Sequence, residues 1–218
     1  MHNQDMESLC LREKAFNHFL ITKTINMSVV TQFNYFHKPG PSLPLVSFLL
    51  RIKHGTYQRL VDGLRKYYHR DLDAEYDQQL RIMPRFSIAG NFTIKDDELQ
   101  MVSYTRYFAL EIPYLNEKDL MSVKGLLKKD DYVMACFRNA LGIGLVMIVR
   151  TNTNRNQHRR VFKELITYYR SLTGVKRFAY HRDDIDHTVL VSIDEELYLN
   201  LDALDFPAAV VEPVPMKC

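Results

Sequence analysis

The sequence contains only three cysteines, Cys10, Cys136 and Cys218. Their number is odd and their spacing is wide, so they predict neither a disulfide framework nor a zinc-binding pattern. Cys136 lies within an apolar run that has the character of a strand, which indicates a core residue rather than a nucleophile. The cysteines therefore exclude small disulfide-stapled and zinc-finger classes of protein.

The chain also lacks any apolar run close to the roughly 18 to 20 residues that a membrane-spanning helix needs. Its N-terminus mixes acidic and basic residues, and it lacks the pattern of a secretory signal. We therefore expect a cytoplasmic protein with no membrane partner. A Walker-type phosphate loop and a nucleophile–base pair of the kind used by hydrolases are absent as well.

The second half of the chain has a pattern that predicts a definite order of secondary-structure elements. Apolar periodicity and turn residues predict strand, helix, strand, strand, helix, strand, which is the order of a ferredoxin-like βαββαβ sandwich of the α+β class. The elements are Tyr104–Ile112, a helix from Asn116 to the Lys128–Asp131 cluster, Tyr132–Phe137, Ile143–Arg150, a helix from Asn154 to Gly174, and His187–Ile193. Many unrelated functions use this fold, so it does not decide the function.

The residues before this unit are interpreted as an N-terminal helical and β extension of the same domain. Lys38 to Pro44 is predicted to be a loop because of its prolines, and Leu45 to Tyr68 to be helical in two pieces around Gly55. Pro84 to Ile94 is predicted to be a strand pair or an irregular β segment around Gly90. We expect residues 1–26 to be a peripheral extension, 27–206 one domain made of units 27–103 and 104–206, and 207–218 a tail. Met27 is a possible true start.

The charge of the chain is small overall but uneven. The net charge is only +3 at pH 7, yet residues 150–182 contain nine basic residues and a single acid, Glu164. From Asp183 onward the balance reverses, with nine acids against Lys217. This polarity suits a surface that binds phosphate at one side. The alternative is a solvated helix face beside an acidic tail that pairs with it.

Four segments resemble a known family in their order and spacing. They are IMPRFSIAGNFTI, RYFALEIPYL, YVMACFRNALGIGLVMIVRTN and DDIDHTVLVSIDEELYLNLDAL. From about Met27 to Phe206 the chain resembles the VirE N-terminal domain family of bacterial mobile elements, a branch of the archaeo-eukaryotic primase superfamily. The resemblance implies a primase-polymerase-like fold, DNA replication as the setting, and a helicase-type region as a common companion.

The residues at the family's first motif depart from its pattern. Where the family has a strand that ends in Asp-x-Asp, this chain has Glu111, Ile112 and Pro113. Primase-type phosphoryl transfer uses two metal ions about 3.5 to 4 Å apart, which at least two carboxylates must hold. One carboxylate is too few for that chemistry.

The other two motifs are preserved in part. The family's glycine-rich phosphate turn corresponds to Asn139 through Val146, where Gly142 and Gly144 remain but the hydroxyls and the lysine are missing. In the third motif Asp184 is kept and the family's arginine is replaced by His187, while Ser192 and Asp194 are retained downstream. The glycines are equally compatible with simple hairpin geometry.

We therefore predict a catalytically degenerate primase-polymerase-like domain that binds nucleic acid, DNA rather than RNA, and needs no cofactor. Glu111 and Asp184 are the residual catalytic positions, and Gly142 and Gly144 a remnant of the phosphate turn. The predicted nucleic-acid-binding residues are Arg150, Arg155, Arg159, Arg160, Lys163, Arg170, Lys176, Arg177 and Arg182. Two alternatives remain: an active Mg²⁺-dependent nucleotidyltransferase that uses Glu111, Asp184 and Asp186, and an interaction subunit for a separate helicase or primase.

Overall fold

The computed structural model describes residues 28–34, 38–179 and 184–208. The predicted N-terminal extension 1–26, Met27, most of the predicted tail and Arg182 lie outside these residues. The described chain mixes five α-helices with two four-stranded antiparallel sheets and a separate two-stranded hairpin. This is an α+β protein.

The strands are β1 (Val29–Phe33), β2 (Pro39–Pro44), β3 (Arg85–Ser87), β4 (Gly90–Lys95), β5 (Glu98–Tyr104), β6 (Tyr107–Ile112), β7 (Val133–Arg138), β8 (Leu145–Arg150), β9 (Thr188–Leu190) and β10 (Tyr198–Leu199). The helices are α1 (Leu45–Lys53), α2 (Gln58–Tyr68), α3 (Asp73–Ile82), α4 (Glu117–Leu127) and α5 (His158–Thr173). A 3₁₀ turn, Arg155–Gln157, leads into α5. In the described part of the chain no helix combines the length and the apolar character that crossing a membrane requires.

The second-half elements follow the predicted order. Asn116 caps α4, because its side chain accepts a hydrogen bond from the amide of Asp119. Asn154 and Gln157 form a capping box before α5, and Gly174 ends α5 with a positive φ of 71°. Strands β6, β7, β8 and β9 and helices α4 and α5 therefore confirm the six predicted elements.

The sheet to which the sixth element belongs is where prediction and structure differ. The central sheet has the order β10-β7-β8-β6, and β9 lies in the other sheet, whose order is β2-β1-β3-β9. Strand β9 pairs with β3 through Phe86 and Val189. Beside the free edge of β6, the amide of Ala179 donates to the carbonyl of Glu111 at 3.0 Å. The described strands do not confirm a ferredoxin-like arrangement.

Two other predictions are wrong in detail. Residues 39–44 form an edge strand rather than a loop, because an edge tolerates prolines that donate no hydrogen bond to the ladder. The strand predicted at 104–112 is two strands, since Arg106 has a φ of 66° that breaks the extended backbone. The two helices around Gly55 and the β segment around Gly90 are confirmed. Helix α3 and strands β1, β5 and β10 were not predicted.

The core consists of two clusters on opposite faces of the central sheet. One cluster, called here the helix-side cluster, packs that sheet against α4 and α5, and includes Phe108, Leu110, Val161 and Leu165. The other packs it against α1, α2 and the second sheet. Strands β7 and β8 are almost wholly buried because both of their faces are covered.

Candidate functional site

Glu111 lies on the face of β6 that looks toward the second sheet. Side chains alternate along a strand, so Phe108, Leu110 and Ile112 enter the helix-side cluster while Tyr107 and Ala109 join the other. Glu111 shares that second face and is half-buried. It lines a cleft of about 530 Å³ between the two four-stranded sheets, called here the inter-sheet cleft.

Asn139 holds Glu111 in place. Its Nδ2 donates to Oε1 of Glu111 at 3.2 Å and to the carbonyl of Pro113 at 3.3 Å. Its Oδ1 accepts from the amide of Gly144 at 3.1 Å, and its carbonyl accepts from Oγ of Ser192 at 2.9 Å. Asn139 thus ties the β7–β8 hairpin to β6, and the retained Ser192 is a support for that link.

The other walls of the inter-sheet cleft are basic and aromatic. Arg85 and His187 come from the second sheet and its flank, and Tyr68 and Tyr76 come from α2 and α3. The hydroxyls of Tyr68 and Tyr114 hydrogen-bond to each other, and this bond raises the pKa of Tyr68 to about 12. Burial raises the pKa of Tyr76 as well. Both phenols remain protonated near neutral pH, so the cleft can hydrogen-bond and stack on a ligand.

Asp184, the second predicted catalytic position, does not line the inter-sheet cleft with Glu111. It forms a surface ion pair with Arg159, in which the two side chains are 57% and 65% exposed. Among the described residues, no three histidine, cysteine or acidic side chains are gathered as a metal site would require. Glu111, Asp184 and Asp186 are accordingly not gathered into one group in the described structure.

The two glycines of the predicted phosphate turn have geometric roles. Gly142 has a φ of 78°, in the left-handed region that favours glycine. A Cβ on Gly144 would lie 2.2 Å from the carbonyl oxygen of Ile112, so only glycine fits there. The guanidinium of Arg65 lies over Gly142 and donates from Nε to the carbonyl of Ala140 at 3.0 Å. The turn is a hairpin closed by a cation from α2.

The eight predicted basic residues that the structure describes fall into three groups. Three are in ion pairs: Arg150 with Asp205, Arg159 with Asp184, and Arg160 with Glu164. Arg170 is half-buried and donates to the carbonyl of Lys176. Exposed side chains without such an ion pair are Arg155, Lys163, Lys176 and Arg177.

Arg155, Arg159, Lys163 and Arg170 follow one side of α5 and its leading turn, and are called here the basic stripe. Arg159 and Lys163 are four residues apart on one face of α5, and Arg155 lies in the 3₁₀ turn that leads into it. The opposite face is buried through Val161, Leu165 and Tyr169. The stripe is therefore the outer face of an amphipathic helix.

A second cleft, of about 390 Å³, opens where the basic stripe begins. It lies between the β4–β5 hairpin and the start of α5 and is called here the hairpin cleft. The hairpin contributes Phe92, Leu99 and Met101, and the helix start contributes Arg155 and Arg159. Asp184 and Asp186 form part of the remaining wall.

Comparison with known proteins gives one match. The family model described as BT4734-like, N-terminal domain, matches residues 77–199, more than half of the chain. The chain belongs to the BT4734-like N-terminal domain family. No curated protein and no solved structure matches it.

The part that matches the BT4734-like N-terminal domain contains most of both clefts. It includes Arg85, Glu111, Asn139 and His187 of the inter-sheet cleft, and the whole basic stripe. Strands β1 and β2 and helices α1 and α2 precede the matched residues. The inter-sheet cleft of this member is thus completed by a segment outside the match, which supplies Tyr68 and Tyr76.

Sequence reasoning missed Arg85, Tyr68 and Tyr76 as cleft residues, and it did not foresee the role of Asp194. The side chain of Asp194 accepts from Nζ of Lys124 and from the amide of Arg138, each at 2.8 Å. The side chains of this ion pair are only 2% and 4% exposed for Lys124 and Asp194. Asp194 is therefore a structural carboxylate. Its position directly after a strand was visible in the sequence, but its partner on α4 was not.

Proposed function

We propose that this chain is a nucleic-acid-binding module with a primase-polymerase-like frame and no two-metal catalytic centre. In this proposal it acts in the cytoplasm during replication of mobile-element DNA. The resemblance to the VirE N-terminal domain family supports the setting. The main structural support for nucleic-acid binding is the basic stripe.

The stripe is suited to phosphates because of its spacing and exposure. Arg159 and Lys163 lie one above the other on the outer face of α5, Arg155 lies in the 3₁₀ turn before it, and Lys176 and Arg177 follow the end of the helix as exposed cations. Contacts from such side chains to a phosphate backbone supply affinity without reading the base sequence. We therefore expect binding that depends strongly on salt and weakly on sequence.

The ion pair within the stripe is compatible with this function. The Arg159–Asp184 pair is well exposed, and exposed pairs contribute only about 0 to 1 kcal/mol. A phosphate can replace Asp184 as the partner of Arg159 at little cost. Arg150, whose guanidinium also donates to the carbonyl of Ala203 at 3.0 Å, is more firmly held and is a weaker candidate for phosphate contact.

The composition of the inter-sheet cleft supports the absence of catalysis. Of its described lining residues only Glu111 is acidic, and one of its oxygens accepts a hydrogen bond from Asn139. Two metal ions that stabilise an in-line phosphoryl transfer need more carboxylate ligands than this. We infer that Glu111 orders the β7–β8 hairpin.

The test is fluorescence-anisotropy binding of labelled single-stranded and duplex DNA over a salt series, with and without Mg²⁺. The variant Arg155→Glu with Lys163→Glu should weaken binding. For a single strand, losing two phosphate contacts should reduce the slope of log K against log salt by about 1.4. The matched control is Lys118→Glu, an exposed lysine on α4, which should leave the slope unchanged.

Each other outcome has a definite meaning. Unchanged affinity in the double variant would refute the basic stripe as the binding surface. Binding enhanced by Mg²⁺ would favour the nucleotidyltransferase alternative. No binding at low salt would refute the proposed function and favour an interaction subunit for a helicase or primase.

A further inference from the structure

We propose that the hairpin cleft holds one nucleobase of a single strand whose phosphates lie on the basic stripe. This inference rests on the proposed function and adds a specific site for the base. The cleft is separate from the inter-sheet cleft that contains Glu111. Its volume of about 390 Å³ falls in the range of roughly 300 to 1,000 Å³ typical of small-ligand pockets.

The register of the β4–β5 hairpin gives the cleft its apolar wall. Phe92 pairs with Met101 and Ile94 pairs with Leu99, so these four side chains share one face of the hairpin. Phe92, Leu99 and Met101 line the cleft. Leu99 is nevertheless 37% exposed and Ile94 46% exposed. A planar base inserted against this wall would cover apolar surface that the fold leaves open.

The mouth of the cleft supplies cations rather than backbone amides. Arg155 and Arg159 line it, and Lys163 continues the same line along α5. The amides at the helix start already have partners within the chain: Oδ1 of Asn154 accepts from the amide of Asn156, and Oε1 of Gln157 accepts from the amide of Asn154. A phosphate next to the inserted base would therefore be bound by arginine side chains.

The acidic residues in the cleft fix the orientation of the nucleotide. Asp184 and Asp186 lie on the segment before β9 and repel phosphate, which restricts the phosphate to the side of Arg155. A carboxylate can instead accept a hydrogen bond from an amino group on the edge of a base. The apolar wall thus matches the face of a base, the carboxylates match an amino group on its edge, and the arginines match its phosphate.

The floor of the hairpin cleft is held rigidly by packed aromatic side chains. His158 is buried, its Nδ1 lies 2.9 Å from the hydroxyl of Tyr104, and its ring stacks on Phe108 with centroids 4.3 Å apart. Burial raises the pKa of Tyr104 to about 12, so its phenol stays protonated near neutral pH. These groups are occupied in packing, and the site binds a base without reacting with it.

The test compares two labelled single strands of equal length, one of deoxycytidylate and one made of abasic sugar–phosphate units. Wild-type protein should bind the strand with bases more tightly, since stacking of a base contributes about 5- to 150-fold in affinity. In Leu99→Ala with Met101→Ala this preference should fall at least fivefold. Affinity for the abasic strand should stay within twofold of wild type.

The matched control is Val102→Ala. Val102 lies on β5 between Met101 and Ser103, points to the opposite face of the hairpin from Met101 and is 61% exposed. It should keep the full preference. Leu99→Ala alone alters only an exposed side chain and should show a smaller loss in the same direction. Circular dichroism and thermal unfolding establish that each variant is folded.

Three results would overturn the inference. Equal binding of the two strands by wild type would remove the base pocket and leave the phosphate-binding function intact. A preference that persists in Leu99→Ala with Met101→Ala would place the base elsewhere on the protein. Binding of neither strand would refute both this site and the proposed function.

Discussion

The two faces of the central sheet differ in chemistry although they are made by the same strands. On β6, Phe108, Leu110 and Ile112 enter a core closed by α4 and α5, while Glu111 looks into the inter-sheet cleft. Cys136 on β7 belongs to the closed face, where burial raises the pKa of its thiol to about 12. The face toward α4 and α5 is closed and apolar, whereas the other face carries an apolar cluster of its own but also leaves an open cleft beside Glu111.

This difference indicates which face of the sheet contributes most to stability and which face is available to bind a ligand. A buried apolar face contributes free energy of folding through area removed from water. Polar side chains that line an open cleft contribute little to that area, and binding sites are commonly built from such side chains on a rigid support. We therefore expect substitutions on the two faces to act on different measurements.

The largest effect should come from Asp194→Ala, at the place where the two faces are joined. Asp194 follows β9 of the second sheet and accepts from Lys124 of α4, which belongs to the helix side. Removing one partner leaves a buried charge, so the free energy of unfolding should fall by about 3 to 5 kcal/mol. Urea denaturation followed by circular dichroism measures this.

A double variant separates charge from packing at this position. Lys124→Met with Asp194→Asn removes both charges and keeps a side-chain oxygen for the amide of Arg138. It should recover most of the lost stability, because replacing both members of a buried pair is often nearly neutral. A loss below about 1 kcal/mol in Asp194→Ala would mean that water reaches the ion pair and that the faces are not tied there.

The next effect compares neighbouring residues on opposite faces. Leu110→Ala should lower the free energy of unfolding by about 2 to 5 kcal/mol, because Leu110 is fully buried in the helix-side cluster. Glu111→Gln keeps an oxygen that can accept from Asn139 and should change it by about 1 kcal/mol or less. Both variants should keep a DNA affinity that is independent of Mg²⁺. Similar losses of stability in the two variants would contradict the contrast between the faces.

Local signals predicted much of the fold. Asn116, Asn154 and Gly174 fixed the ends of α4 and α5, and apolar runs located the β7–β8 hairpin. These signals depend on residues within a few positions of each other, so a single sequence displays them. The proline-containing β2 was missed because only its edge position makes those prolines acceptable.

Long-range pairing is what the sequence could not supply. The pairing of β9 with β3 joins residues about a hundred positions apart, and the Lys124–Asp194 pair joins residues 70 apart. Glu111 was singled out in the sequence and lines the inter-sheet cleft, but its partner Asn139 and the position of Tyr68 in the same cleft depend on how the sheets pack. The predicted grouping of Glu111 with Asp184 is not seen among the described residues for the same reason.

The smallest effect concerns the open face alone. In Tyr114→Phe the pKa of Tyr68 should fall from about 12 toward its ordinary value of 10.0, because the hydrogen bond with the Tyr114 hydroxyl is the main cause of the shift. A raised pKa in the folded state means that the bond stabilises the protein below pH 10 and that this stabilisation is lost as pH rises through about 12. The variant should therefore differ in stability from wild type at pH 8 and converge with it in strong alkali.

NMR titration of ¹³C-labelled tyrosine measures the pKa of Tyr68 directly. Tyr76→Phe, which keeps the ring next to Tyr68, serves as the control and should leave that pKa near 12. If Tyr76→Phe lowers the pKa of Tyr68 as much as Tyr114→Phe does, then the surroundings of Tyr68 in the cleft control its ionisation. In that case the open face is less accessible to water than the contrast between the two faces requires.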